Sequence, residues 1–237
     1  MANRLRIAVI DSGVHPTHPH IAADRLLPGL SLLADGTVLH GEDEALDRLG
    51  HGTAVTAAIQ EQAPDALILP IRVFREGLRA SARALAGAIR CAIEARVDLI
   101  NLSLGTPNAA HADVFAALAD EAVATGALIV AAREADGAPC WPGCLPQVLG
   151  VGLDWDVPRG GPGLGTDGVV YASGYPRPIP GVPQQRNLYG ISFAVAQVTG
   201  WVAANCGDRP IVRADVLARF APIDVHASEK VQPRQDA

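Results

Sequence analysis

The chain has 237 residues, 49% hydrophobic and only 4% aromatic, enough for one large domain with an aliphatic, Ala-rich core. Its 19 Lys and Arg against 25 Asp and Glu give a net charge of −6 with no basic run, which argues against a nucleic-acid partner. No apolar stretch reaches the length of a membrane span, and the first apolar run is too short for a secretion signal, so the chain reads as cytoplasmic, without membrane insertion, signal peptide or propeptide.

In chain order, residues 5–10 form a short β-branched run expected to be a buried parallel strand. Residues 14–48 carry Pro16, Pro19, Pro28, Gly29, Gly36 and Gly41 and read as loop. A helix is expected over 52–62, closed by Pro64, then a strand over 66–74 that contains Pro70. Residues 81–96 place Leu85, Ile89, Ala92 and Ile93 on one stripe and predict an amphipathic helix. Strands over 98–104, 128–132 and 148–152 and a helix over 112–125, ended by Gly126, continue the alternation. Residues 154–187 are rich in Gly and Pro and read as loop and short strand, and a last buried helix runs to about residue 205. Strands alternating with helices point to a parallel sheet in an α/β layer fold. No internal repeat or long linker divides residues 1–237, so a single compact domain with a frayed tail over about 226–237 is expected.

Three short stretches carry chemistry. The first strand ends in Asp11-Ser12-Gly13, His51 stands between Gly50 and Gly52 at a helix start, and Gly190-Ile191-Ser192 opens the last helix. Taken singly, these are a turn aspartate, a helix-start histidine and an N-cap serine. Taken together, they are a hydroxyl nucleophile, a base to take its proton and a carboxylate to hold the base. A serine in the first turn of a helix also has unpartnered backbone N–H groups beside it, ready to face a developing oxyanion.

Asp11-Ser12-Gly13, His51-Gly52-Thr53 and Gly190-Ile191-Ser192-Phe193-Ala194-Val195-Ala196, in that order, resemble the motifs of the subtilisin-like serine proteases. Leu99-Ile100-Asn101-Leu102-Ser103-Leu104-Gly105 is similar to the strand whose edge pairs with substrate, and Trp141-Pro142 with Val148 to Gly152 to the segment beyond the oxyanion loop. The resemblance spans roughly residues 5–206. It implies a three-layer α/β fold with a mostly parallel central sheet, a catalytic set of Asp11, His51 and Ser192, substrate pairing along Ser103, Leu104 and Gly105, and no cofactor. An α/β-hydrolase would need Asp215 and His226 after Ser192, and has a glycine where Ala194 stands.

The departures lie on the oxyanion side. Arg133 and Glu134 stand where the family pattern has Gly and its oxyanion Asn, and Ile191 stands where Thr is common. Glu134 is expected to serve as a donor in its protonated form, to pair with Arg133 and turn away, or to be displaced until substrate binds. The reading is therefore a selective serine endopeptidase acting on a protein or peptide, with one dedicated partner or its leader as the expected substrate. In size and segment order the chain is similar to the leader-processing subtilases of quinohaemoprotein amine dehydrogenase maturation. The alternative is a pseudoprotease that binds a peptide in the groove without cutting it. His15, His18 and His20 lie in a Pro-containing loop without accompanying ligands, and no metal is expected. Cys91, Cys140, Cys144 and Cys206 are expected as thiols, with Cys91 buried.

Overall fold

The computed structural model describes residues 4–41, 43–135, 137–207 and 209–225, and the tail expected over 226–237 lies outside them. The strands are β1 (Arg6–Asp11), β2 (Leu30–Leu32), β3 (Val38–His40), β4 (Leu67–Arg72), β5 (Leu99–Leu102), β6 (Leu128–Ala132), β7 (Glu134–Ala135), β8 (Ala138–Pro139), β9 (Leu149–Leu153), β10 (Gly163–Leu164) and β11 (Val170–Ala172). The α-helices are α1 (His51–Gln62), α2 (Ala82–Glu94), α3 (Ala112–Thr125), α4 (Ile191–Asn205) and α5 (Arg213–Leu217). Among the described residues one sheet has nine strands in the order β10-β11-β9-β6-β5-β1-β4-β2-β3, and β7 and β8 form a separate hairpin. The pairs from β2 through β4, β1, β5, β6 and β9 to β11 are parallel, while β3 and β10 add antiparallel edges.

Strand alternation sends side chains to two cores. Ile7 and Val9 of β1 with Leu128 and Val130 of β6 face α1 and α4, whereas Ala8, Ile10, Ile129 and Ala131 face α2 and α3. The result is the expected helix–sheet–helix sandwich. Ser81 caps α2, accepting from the Ala84 amide at 3.0 Å, and the buried face of α2 is Leu85, Ala88, Ile89, Ala92 and Ile93. From Phe193 to Gly200 α4 is buried, packed on α1 and over β5, β6, β9 and β11. Its Ala-rich composition lets a helix lie that close to a sheet.

Residues 14–48 depart from the loop reading. They add β2 and β3, which widen the sheet beyond β4. Both have three residues, and β3 has exposed Val38 and His40, too short and too open to give an alternation signal.

Candidate active site

β1 and α1 meet through two glycines. Gly13 has φ +96°, and a Cβ on Gly52 would lie 2.2 Å from the Gly13 carbonyl oxygen. Any side chain at 52 would push the first turn of α1 away from the end of β1, so the glycine after His51 is a condition of the contact. Across that contact Asp11, fully buried at the end of β1, faces His51, the first residue of α1. Asp11 Oδ1 accepts from the Ser12 amide and from His51 Nδ1, both at 2.7 Å. With Nδ1 donating, Nε2 presents its lone pair away from Asp11.

A second carboxylate holds this geometry, and the sequence reading missed it. Asp47 Oδ1 accepts from Ser12 Oγ at 2.8 Å and from the Leu49 and Gly50 amides at 2.9 Å each. Its Oδ2 accepts from the Thr53 amide at 2.9 Å and the Thr53 hydroxyl at 2.6 Å. Ser12 Oγ accepts in turn from the Gly52 amide at 2.8 Å. Asp47 thus satisfies orphan N–H groups at the start of α1 and ties them to β1. The available signal was an acidic residue four before His51 and three before the Gly50 N-cap, outside the usual capping position.

Burial of the His51 ring disfavours its cation, but the Asp11 hydrogen bond and charge, and then the Asp47 charge, outweigh it and raise its pKa above the ordinary imidazole value. Burial also works against the Asp47 carboxylate, but its hydrogen bonds from Thr53, Leu49 and Ser12 prevail and lower its pKa.

Ser192 is the second residue of α4, behind Ile191. Phe193 packs against the His51 ring at 5.7 Å between centroids, which brings the start of α4 to the histidine. The Ser192 hydroxyl donates to the Ser103 carbonyl at 3.4 Å, and among the described residues no hydrogen bond joins it to His51. Ser103 follows β5 and is fixed from behind: Thr199 of α4 donates to Asn101 Oδ1 at 2.9 Å, and Asn101 Nδ2 donates to Ser103 Oγ at 3.1 Å. Leu104 and Gly105 are half-buried, and Thr106 pairs with Trp141 through bonds of 3.0 and 2.9 Å. The strand predicted over 98–104 therefore ends at Leu102, and the next residues run past the sheet.

Glu134 sits in the two-residue β7, opposite Pro139, and is exposed. No ion pair joins it to Arg133 among the described residues. Ile191, the first residue of α4, is half-buried against the core that α1 and α4 share. Among the described residues no three His, Cys, Asp or Glu side chains group as metal ligands. Cys91, Cys140, Cys144 and Cys206 form no disulfide. Cys91 is half-buried rather than enclosed, because it lies off the inner stripe of α2.

This sheet and its helices have the subtilisin-like fold. The solved structure of Sphericase superposes with a TM-score of 0.71 at 20% identity, over 95% of this chain and 88% of that one. The family follows from sequence. The subtilase family model matches residues 2–137, and the chain belongs to that family. It is 30% identical over 166 residues to the intracellular serine protease of Paenibacillus polymyxa, covering 62% of this chain and 49% of that protein. It is 28% identical over 166 residues to the major intracellular serine protease of Bacillus subtilis (strain 168), covering 62% of this chain and 50% of that protein. The chain thus spans about half the length of these two relatives. Among the described residues no helix is long and apolar enough to cross a membrane.

Proposed function

We propose that this chain is a serine endopeptidase in which Ser192 attacks the scissile carbonyl, His51 is the base and Asp11 orients it. The observation that carries the reading is the buried 2.7 Å Asp11–His51 pair set beside the first turn of α4. In the reaction Ser192 Oγ turns from the Ser103 carbonyl toward His51 Nε2, gives up its proton and bonds to the carbonyl carbon. The carbonyl π electrons move to oxygen, and the Ser192 amide at the helix start supports the oxyanion, with the protonated Glu134 carboxyl as the proposed second donor. The C–N bond then breaks, and the proton on His51 goes to the leaving amine. Water, deprotonated by His51, releases the acyl group and restores Ser192.

The substrate is an extended peptide whose backbone pairs with Ser103, Leu104 and Gly105. We further propose that the enzyme works in the cytoplasm on one partner protein or its leader, as in the leader-processing subtilases that the chain resembles. The second reading is a pseudoprotease, favoured by the Ser192–Ser103 hydrogen bond and by the exposed carboxylate of Glu134. Incubation with a phosphonylating reagent followed by peptide mapping separates the two. An adduct on Ser192 that is lost in Ser192→Ala and falls sharply in His51→Ala supports the protease. Folded wild type without an adduct after long incubation supports the binder.

A further inference from the structure

Beside the triad lies a cleft of about 180 Å³, between the outer face of α1, the loop after β1 and the segment that leads to α4. Gly50 and Thr53, just before and after the His51-Gly52 step, line it, so it opens next to the base. Its lining is of two kinds. Ala54 of α1 with Ile179 and Leu188 makes an aliphatic surface, and the last two are 40% and 46% exposed although apolar. His18, His20 and Arg177 make the polar part.

The polar part carries one fixed positive charge, on Arg177. The His18 and His20 rings meet edge to face at 5.2 Å, and Arg177 Nη1 donates to the His20 carbonyl at 3.3 Å. Burial, the Arg177 charge and His18 together lower the His20 pKa below the ordinary imidazole value, against a smaller opposing effect of Glu61. Glu61 is the acidic group closest to Arg177, 3.9 Å from Nε, but it is also held by Arg159. Two guanidinium groups share one carboxylate, so the cluster keeps excess positive charge. Arg177 Nη2 has no hydrogen-bond partner among the described residues, and its side chain is half-buried. A chain of net charge −6 that sets Arg177 beside an exposed aliphatic surface has a local preference opposite to its overall one.

We propose that this cleft is a specificity pocket for an acidic residue of the substrate, its carboxylate bound by Arg177 and an adjacent aliphatic side chain lying on Ala54, Ile179 and Leu188. The inference rests on the proteolytic reading of the neighbouring triad. Ser103, Leu104 and Gly105 would hold the substrate backbone on one flank of the site, and the cleft would read its sequence on another. Arg177 suits this role because a guanidinium offers a planar pair of donors to a carboxylate, while the flanking imidazoles add hydrogen bonds without a fixed charge.

The test separates recognition from cleavage. Ser192→Ala protein, which cannot turn over, is incubated with a randomised library of acetylated and amidated decapeptides, and retained peptides are sequenced by mass spectrometry. The expected result is enrichment of Asp or Glu next to Leu, Ile or Val. For a retained peptide, Glu→Gln is expected to weaken binding about fivefold, the upper range for a partly exposed ion pair. The enrichment is expected to vanish in Arg177→Gln and to turn toward Lys and Arg in Arg177→Glu, whose folding is checked by its melting curve. No acidic enrichment, whether nothing or only neutral peptides are retained, overturns the proposal, as does enrichment that survives Arg177→Gln. Wild-type cleavage without acidic preference would remove the pocket and leave the protease standing. Arg177-dependent acidic binding by a protein that never labels at Ser192 would do the reverse.

Discussion

Ser12 Oγ donates to Asp47 Oδ1 at 2.8 Å, joining the residue after Asp11 to the residue four before His51. One hydrogen bond thus spans the same gap between β1 and α1 that the Asp11–His51 pair spans. Asp47→Asn keeps the size but turns one acceptor into a donor facing N–H groups. It is expected to lower stability by about 1–3 kcal/mol, the cost of unsatisfied groups in a buried network. It should also bring the His51 pKa down, because the Asp47 charge helps to raise it. Urea melts and NMR titration of the His51 ring check both; an unchanged His51 titration would confine Asp47 to a folding role.

The raised His51 pKa sets the sign of two pH effects. The proposed mechanism needs the neutral ring, so kcat/KM should climb along an acid limb whose midpoint lies above the ordinary 6.5, and Asp11→Asn should move that limb down because burial then dominates. Stability runs the other way. A cation favoured by folding contributes fully below the unfolded-state value and is lost as pH rises through the folded-state value. The melting temperature of wild type relative to His51→Gln should therefore narrow with rising pH in that window. A difference that stays flat would contradict the pairing.

Glu134 is exposed, so any role in supporting the oxyanion requires substrate over it. On a cleaved substrate Glu134→Gln is expected to retain most activity. Glu134→Ala should lower kcat by roughly 10²–10³ with little change in KM, as expected for a side-chain donor engaged mainly in the transition state. An unchanged kcat in Glu134→Ala leaves the Ser192 amide, or a group from the substrate protein, as the support.

The cysteines should differ in reach. Cys140 is 1% exposed, whereas Cys91 and Cys144 are half-buried with thiol pKa values that burial pushes up. Thiol titration of reduced protein should count four groups after denaturation. In the native state it should show only slow reaction at neutral pH, at Cys91 and Cys144. Rapid labelling of Cys140 would mean that the segment under Trp141 opens.

Much of the fold is legible in the sequence because its elements are buried in a regular way. The 112–125 helix ends at Gly126, a left-handed C-cap, and the 128–132 strand is bounded on both sides, so both expectations coincide with α3 and β6. β2 and β3 are not legible, because three residues at a sheet edge carry too little pattern. In the site, Asp11 and His51 are marked by the glycines that let β1 and α1 touch. Asp47 leaves a weaker trace, since it works through backbone amides of ordinary residues. The cleft beside α1 leaves none: its lining comes from two segments, 18–57 and 176–188, more than a hundred positions apart and brought together by the fold.

The burial of α4 bears on how such a molecule is made. A chain synthesised from its amino end presents the segments of β1 to β11, with Asp11 and His51, before residues 191–205 of α4. The helix that completes the core also brings Ser192. A premature stop or a cut ahead of residue 191 therefore yields a molecule short of both α4 and Ser192, the proposed nucleophile. In this architecture a fragment that stops before α4 is expected to be silent, because Ser192 arrives on the same helix that fills the core against α1 and the sheet.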